Sequence, residues 1–306
     1  MREALLSWLP WNIRVIVAIQ QASPAWLDLI MRLITYLGST YFFLVLLPVV
    51  YWMRPVPGMQ LAVLVLASAY VNTAAKALLA IERPFVVSGE VIGKVSASYY
   101  AFPSGHAQLA ASTWPMLASI VRRRWFTALS VVLVVLIGIS RVVLGVHYPQ
   151  DVLVGWFLGL SIYLLHEALV EPVDGWVASR GLGTHLALAI VIPIALTLLL
   201  PLEETTTTTG ALLGMGIGFA LNARAGRFAP RGGPTQAIGR IAVGLVLVGV
   251  AYLVPKLLLG EPAQPWAALL LHLARYALVS LTGTLVAAWC FVRAGLADPA
   301  GEHATA

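Results

Sequence analysis

Residues 124–160 have the sequence RWFTALSVVLVVLIGISRVVLGVHYPQDVLVGWFLGL, in which two long apolar runs flank the polar string SRVVLGVHYPQD of residues 140–151. Apolar runs of about 20 residues are typical of membrane-spanning helices. A basic residue, an imidazole and a carboxylate cost several kcal/mol at the edge of a bilayer unless they have a function or a partner. The pattern therefore predicts two spans that hold a polar site at one membrane face.

The composition extends this interpretation to the whole chain. Of the 306 residues 60% are hydrophobic and 10% are charged, and the mean hydropathy is +0.88. Water-soluble domains are about 45–50% apolar and about 25% charged. We therefore predict an all-α, polytopic membrane protein. The nine predicted spans are residues 30–52, 57–80, 104–121, 125–145, 149–170, 184–201, 208–223, 238–257 and 266–292.

The net charge of +6 indicates membrane orientation and no nucleic-acid partner, because the basic residues cluster in short connections between apolar runs. One set of connections holds Arg54, the triplet at residues 122–124, Arg180 and the arginines at positions 224, 227 and 231. By the positive-inside rule that side is cytoplasmic. The polar strings fall on the opposite side, so the site is expected to face the periplasm, lumen or exterior.

The ends of the chain and its single cysteine add further expectations. Residues 1–22 predict an amphipathic helix in the interface with Trp8 and Trp11 as anchors, or a frayed tail, and not a cleavable signal peptide. Cys290 stands alone, so neither a disulfide framework nor a cysteine metal site is expected. No histidines have ligand spacing either, so we predict no metal site and no cofactor.

The string KALLAIERP places Lys76 and Arg83 seven residues apart, which is about two turns of one helix face. Pro84 disfavours the helical conformation at Arg83, so the helix is expected to end there. Two cations directed at one point suit a phosphate dianion. The alternative is that both side chains extend to lipid headgroups.

The string PSGH stands where another span begins. Ser104 is a natural N-cap, and Gly105 lets the backbone approach a ligand closely. Free N–H groups at a helix start form an anion site. His106 lies in the first turn, where it is a candidate proton donor.

The string SRVVLGVHYPQD is the most specific of the three. Ser140 and Arg141 end one span, and Asp151 follows His147 by four residues, within hydrogen-bonding reach of a ring nitrogen. Such a bond leaves the other nitrogen as a nucleophile. Alternatively, Asp151 caps its helix, a role compatible with the first.

The pattern K-x6-R-P, P-S-G-H and S-R-x5-H-x3-D resembles the type 2 phosphatidic acid phosphatase (PAP2) superfamily. The resemblance implies a six-helix core and metal-independent phosphate hydrolysis through a phosphohistidine. It makes His147 the nucleophile, Asp151 its orienting group and His106 the acid and base. The residues that it implies for phosphate binding are Lys76, Arg83, Ser104, Gly105 and Arg141.

From the motifs and the resemblance we expect an interfacial segment at residues 1–25, the catalytic core at 26–201 and about three additional spans at 202–306. The nine-span layout is similar to the glucose-6-phosphatase and sphingosine-phosphate phosphatase branches, although Asp151 follows the lipid phosphatase pattern. The expected substrate is a phosphorylated or diphosphorylated membrane lipid. A sugar-phosphate phosphatase and a phosphotransferase remain alternatives with the same site residues.

Two further features remain open at this level. The connection at residues 83–103 covers the pocket as a lid through Tyr99, Tyr100 and Phe102, or these aromatic residues belong to the interfacial belt. In the last span His272 and Arg275 share a helix face and pair with a lipid headgroup or make a structural hydrogen bond to a neighbouring helix.

Overall fold

A computed structural model describes residues 2–97, 100–224, 228–230, 232–260, 262 and 264–299. Helices dominate this part of the chain, because long apolar runs satisfy their backbone hydrogen bonds internally when they form helices. The helices of the first half are α1 (Arg2–Ser7), α2 (Leu9–Ala22), α3 (Ala25–Tyr36), α4 (Thr40–Met53), α5 (Pro55–Leu79), α6 (Pro84–Val87), α7 (Gly105–Val121), α8 (Arg124–Val143) and α9 (Pro149–Ala178).

The second half continues with α10 (Leu182–Leu199), α11 (Glu203–Arg224), α12 (Pro234–Leu259), α13 (Pro265–Leu281) and α14 (Ala287–Arg293), and a π-helical turn at Thr282–Val286 joins the last two. The strands β1 (Phe228–Ala229) and β2 (Asp298–Pro299) form an antiparallel ladder that pairs Phe228 with Pro299 and Ala229 with Asp298. The all-α prediction is confirmed. The short ladder was not predicted.

Six helical segments of the described chain are long and apolar enough to cross a membrane, and α3 with α4, bent by 41°, makes a seventh if the pair is one span. The protein is therefore an integral, multi-pass membrane protein. The nine-span layout is not confirmed, although helices occur at all nine predicted positions. Helix α7 has only 17 residues, and two glutamates with five threonines make the start of α11 polar.

The chain forms two compact units. The first comprises Met1–Leu44 and Ala67–Leu169, and the second comprises Val45–Leu66 and Val170–Ala306. In the first unit a buried cluster that includes Ile16, Ile81, Phe102 and Tyr148 lies where the three motif-bearing segments meet. This core fixes the backbone from which the polar side chains project.

The N-terminal residues pack into the first unit as two helices that break at Trp8. Asn12 of α2 is fully buried and donates from Nδ2 to Gln150 Oε1 at 3.2 Å. Gln20 Nε2 donates to the Ile92 carbonyl at 2.8 Å. Residues 2–22 are thus helical rather than a frayed tail, and Trp8 and Trp11 remain exposed in an edge-to-face pair.

In the second unit, α11 and α13 run in parallel and in close contact. A Cβ on Gly210 would lie 2.5 Å from the Leu273 carbonyl oxygen, and one on Gly218 would collide with the side chain of Thr284. Small residues permit such close approach of helices in membranes. Gly214, in the glycine-rich stretch Gly214–Gly218, also lies at this contact and faces Ala277 and Ser280.

Candidate active site

The first motif does not lie on one helix face, so that prediction was wrong. Helix α5 ends at Leu79, with Lys76 in its last turn, and Ala80 has a left-handed φ of 48°. Residues 80–83 are not helical, and Arg83 is the N-cap of α6 with an extended conformation, as Pro84 requires. The break turns Arg83 into the protein.

Arg83 is 5% exposed and therefore does not extend to the lipid headgroups. Its Nη1 donates to the Val146 carbonyl oxygen at 2.7 Å and lies 3.2 Å from His147 Nε2. The first motif thus contacts the third directly.

Ser104 occupies the N-cap position of α7, but its hydroxyl does not cap the helix. Ser104 Oγ is buried and has no hydrogen-bond partner among the described residues. The predicted capping role is therefore wrong, although the position is correct. The Ser104 backbone N–H donates instead to the Asp151 carbonyl oxygen at 3.0 Å, which joins the starts of α7 and α9.

A buried network of polar side chains supports this segment. The sequence interpretation missed this network. Asn72 Nδ2 donates to Gln108 Oε1 at 2.8 Å and lies 3.4 Å from the Pro103 carbonyl oxygen. Gln108 Nε2 in turn donates to the Ser68 carbonyl oxygen at 2.8 Å. Ser68 and Asn72 are four residues apart in an apolar span, and this spacing of costly polar groups was the available signal.

In the segment before the second motif, Tyr100 is 40% exposed and Phe102 is buried. Phe102 is 5% exposed and belongs to the core, and Tyr99 lies outside the described residues. Lys94 pairs through Nζ with Asp28 Oδ1 at 2.7 Å, and its backbone N–H donates to the Leu144 carbonyl oxygen. These contacts hold the described part of this connection against the rest of the first unit.

The third motif forms a tight loop between α8 and α9. Gly145 has a φ of 71°, and a Cβ there would collide with the Ile92 carbonyl oxygen, so the position favours glycine. The backbone N–H of His147 donates to the Arg141 carbonyl oxygen at 3.3 Å. This turn places the His147 side chain inside the protein, 1% exposed.

His147 lies between a carboxylate and a guanidinium. Its Nδ1 is 3.2 Å from Asp151 Oδ2, and its Nε2 faces Arg83 Nη1. A guanidinium has only donors, so Nε2 carries the lone pair and Nδ1 donates its proton to Asp151. Asp151 Oδ2 also accepts the backbone N–H of Tyr148 at 2.9 Å, so the same carboxylate orients the imidazole and caps the start of α9.

The charges around His147 favour its neutral form. Burial lowers the pKa of His147 well below its ordinary value of 6.5, and the positive charges of Arg83, Arg141 and Lys76 lower that pKa further. His106, in the first turn of α7, also lies within electrostatic range of His147. The imidazole therefore keeps its lone pair at neutral pH, as a nucleophile requires.

Arg141 is the third cation of the site, and α3 holds it in place. Arg141 is 4% exposed, and its Nη1 donates to Thr35 Oγ1 at 2.8 Å. The sequence interpretation also missed Thr35, because it stands in a separate apolar run without a motif. Its hydroxyl fixes the direction of the guanidinium.

The assembled site has three cations, two imidazoles and one buried carboxylate in the first unit. It is suited to bind a phosphate dianion and to present an imidazole lone pair to it. Within the described residues, no three His, Cys, Asp or Glu side chains form a group that could hold a metal ion.

Comparison with protein families gives two matches. Residues 57–171 match the family described as the PAP2 superfamily, and these residues include all three motifs. Residues 206–299 match the family described as PAP2 superfamily phosphatase, transmembrane extension. Together the two matches span the site and most of the chain that follows it.

Curated relatives carry related descriptions. Phosphatidylglycerophosphatase B of Bacillus subtilis is 29% identical over 162 residues, which are 48% of this chain and 77% of that protein. Undecaprenyl-diphosphatase of Sulfolobus acidocaldarius is 33% identical over 109 residues, 35% of this chain and 52% of that protein. Decaprenylphosphoryl-5-phosphoribose phosphatase of Mycobacterium tuberculosis is 40% identical over 78 residues, 26% of this chain and 40% of that protein.

Two crystal structures are similar to part of the chain. The transmembrane PAP2-type phosphatidylglycerolphosphate phosphatase of Bacillus subtilis has a TM-score of 0.49 and 28% identity, and covers 56% of this chain and 88% of its own. Aquifex aeolicus LpxE has a TM-score of 0.48 and 25% identity, and covers 52% of this chain and 95% of its own.

Proposed function

This chain belongs to the PAP2 superfamily, and from that premise we propose that it hydrolyses phosphorylated or diphosphorylated membrane lipids through a phosphohistidine at His147. The observation that carries the proposal is the position of the His147 imidazole. Asp151 accepts the proton of one ring nitrogen, and the other nitrogen carries its lone pair beside Arg83. The proposed nucleophile, His147, therefore lies directly beside Arg83, a cation proposed to bind the phosphate.

The reaction has two steps. In the first, the lone pair of His147 Nε2 attacks phosphorus, the bond from phosphorus to the leaving oxygen breaks, and His106 donates a proton to that oxygen. In the second, His106 accepts a proton from water, the hydroxide attacks phosphorus, and the bond to Nε2 breaks. Inorganic phosphate leaves, and both imidazoles return to their starting forms.

The phosphate oxygens gain charge stabilisation from side chains rather than from a metal ion. Lys76, Arg83 and Arg141 supply positive charge, and the Ser104 hydroxyl and the Gly105 N–H add donors. The Ser104 hydroxyl is buried and has no partner among the described residues, so it is available for an oxygen of the substrate. We propose that the reaction proceeds without a divalent cation.

The substrate class is inferred from the membrane environment of the protein and from the names of its relatives. A pocket held by membrane helices admits a polar phosphate while an apolar tail stays in lipid. The three curated relatives are named for phosphatidylglycerophosphate, undecaprenyl diphosphate and a decaprenylphosphoryl sugar phosphate. The arginine-rich connections favour an orientation in which the pocket faces away from the cytoplasm.

The decisive experiment uses the full chain purified in detergent. Phosphate release from phosphatidylglycerophosphate, undecaprenyl diphosphate, phosphatidate, a sphingoid phosphate and glucose 6-phosphate is measured in EDTA, with and without vanadate. We expect lipid substrates to be preferred and vanadate to inhibit. Preference for glucose 6-phosphate would assign the alternative substrate class, and phosphoryl transfer to an added alcohol in place of water would assign a phosphotransferase.

The covalent step is tested with a radioactive phosphate label and rapid quenching at alkaline pH, where phosphohistidine survives. Wild type and His185→Ala should trap label on the protein, because His185 lies in α10, outside the proposed site, and bonds to the Val177 carbonyl oxygen. His147→Ala should trap none and release no phosphate. Phosphate release by His147→Ala at the wild-type rate would overturn the proposed mechanism.

A further inference from the structure

Helix α13 carries a second group of polar residues, in the unit that does not contain the site described above. His272, Arg275 and Tyr276 stand at positions i, i+3 and i+4, so they share one face of the helix. The sequence left open whether Arg275 bonds to a neighbouring helix or to a lipid headgroup. The contacts of Arg275 distinguish these alternatives.

Arg275 is 5% exposed, and its Nε is buried without a hydrogen-bond partner. Among the described residues it makes neither a hydrogen bond nor an ion pair. An ionisable side chain within a membrane span is costly unless something compensates its charge. The structural hydrogen bond is therefore not found, and an external anion becomes the natural partner.

The surroundings of Arg275 suit an anion. Tyr276 packs against Tyr252 of α12 with ring centroids 6.2 Å apart, and the Lys256 Nζ lies 5.6 Å from the Tyr252 ring. Both tyrosines carry a phenolic hydroxyl, which can donate a hydrogen bond to an anion. A second cation and several hydroxyl groups thus surround the same helix face.

The starts of α11 and α13 and the end of α12 lie on one side of the second unit. Because α11 and α13 are parallel, Glu203 and Pro265 begin their helices at the same end, and the short connection from Leu259 brings the end of α12 there too. Arg275 lies about three turns from this end of α13. The nearby carboxylate of Glu203 lies 3.6 Å from His272 Nδ1 and is largely exposed.

We propose that this face of α12 and α13 binds the phosphate group of an anionic lipid headgroup, with Arg275 as its main contact and Lys256 as its second. Tyr252, Tyr276 and His272 supply further polar contacts around the phosphate. The proposal concerns binding within the transmembrane extension and does not depend on hydrolysis at His147.

Lipid binding by the full chain, purified and stripped of lipid, tests this proposal. Phosphatidylglycerol or phosphatidylcholine is titrated into the detergent-solubilised protein and bound lipid is counted by native mass spectrometry. Any lipid bound at the proposed catalytic site is common to wild type and the variants of α13 and α14, so it does not affect their comparison. Phosphatidylglycerol carries a phosphodiester, so hydrolysis of a phosphomonoester does not consume it.

We expect wild type to bind phosphatidylglycerol about tenfold more tightly than phosphatidylcholine, and Arg275→Met to lose this preference. Arg293→Met is the matched control, since Arg293 is exposed over the Trp289 ring in α14. Arg275→Lys keeps the charge and should keep part of the preference, which covers the case in which the methionine variant does not fold.

Unchanged preference in Arg275→Met would overturn the proposal, as would an equal loss in Arg293→Met. A lower melting temperature of Arg275→Met without lipid, with the preference retained, would instead show a structural role. Competition with inorganic phosphate identifies the source of the anion. Displacement of the lipid shows that free phosphate also binds, whereas no displacement assigns the site to the headgroup alone, and both results support a phosphate site.

Discussion

Arg83 Nη1 lies 3.2 Å from His147 Nε2, so a cation proposed to hold the phosphate touches the nitrogen proposed to attack it. The lone pair of Nε2 points to the guanidinium, because the proton of the ring is on Nδ1 toward Asp151. An incoming phosphate must therefore enter between these two groups. Arg83 then exchanges the imidazole for phosphate oxygens while its bond to the Val146 carbonyl keeps it in place.

Arg83→Lys should lower kcat/KM by about 10- to 100-fold, because an ammonium group cannot reproduce the planar fork that joins Val146 and the phosphate. Vanadate affinity should fall in parallel, which inhibition curves measure. Arg123→Lys is the control, since Arg123 is an exposed residue at the start of α8. Unchanged vanadate affinity in Arg83→Lys would contradict the proposed role in phosphate binding.

The pH dependence of kcat/KM should reflect the positive charges around His147. Burial, then Arg83, Arg141 and Lys76, lower the pKa of His147, so the acid limb of kcat/KM is expected below the ordinary histidine value of about 6.5. Lys76→Met removes a positive charge, so the pKa of His147 should rise and the acid limb should shift to higher pH. Lys76→Arg keeps the charge and should leave the limb in place.

The same substrate is used in all three proteins, so ionisation of its phosphate is common to the profiles. A shift of the acid limb to lower pH in Lys76→Met would contradict the electrostatic account. Equal shifts in Lys76→Met and Lys76→Arg would show that the shape of the side chain matters rather than its charge.

The sequence predicted the contact within the third motif better than the local geometry of the first motif. The spacing of His147 and Asp151 on a helix start is local, and their contact follows from it. The helix break at Ala80 was not predictable from Pro84 alone, because that break depends on how residues 80–83 pack into the core. Residue spacing along the chain therefore predicted the contact within the third motif, but it did not predict the helix break within the first motif.

Residues without a motif were the ones that sequence analysis missed. Thr35 and Gln108 act through contacts with residues far away in the chain, namely Arg141 and Asn72. Hydropathy and spacing carry no information on such contacts, although a buried polar residue in an apolar span signals that a partner exists. The fold class, in contrast, follows from composition and the length of apolar runs, which do not depend on tertiary contacts.

Asp151→Asn should lower the rate of phosphoenzyme formation by about 100-fold or more, since a neutral amide orients the imidazole poorly and does not stabilise its positive charge. Single-turnover labelling measures this rate. Asp174→Asn, on the same helix α9, is the control, because Asp174 accepts an exposed hydrogen bond from Gln60 and lies outside the proposed site. A vanadate affinity close to that of wild type would separate this effect from lost binding, and a wild-type labelling rate would contradict the assignment.

Ser104→Ala separates phosphate binding from helix capping. Loss of a true N-cap costs about 1 kcal/mol of stability. The Ser104 hydroxyl has no capping bond, so the melting temperature without ligand should not fall. Vanadate affinity should decrease several-fold, because one donor to the phosphate is lost. A lower melting temperature with unchanged vanadate affinity would assign the hydroxyl a structural role instead.

Gly155→Ala should disturb the joint between the starts of α7 and α9. A Cβ at Gly155 would lie 2.7 Å from the Ser104 carbonyl oxygen, which is closer than packed side chains approach backbone. Helix α9 must then move away from α7, and the bond from the Ser104 N–H to the Asp151 carbonyl oxygen lengthens. Both kcat and the melting temperature should fall, as phosphate release and thermal unfolding in detergent measure. Gly175→Ala is the matched change in the same helix, because a Cβ there meets no atom within 4 Å, and alanine should be neutral or slightly stabilising. If Gly155→Ala and Gly175→Ala had the same kcat and the same melting temperature, the contact between α7 and α9 at Gly155 would not explain the alignment of Ser104 with Asp151.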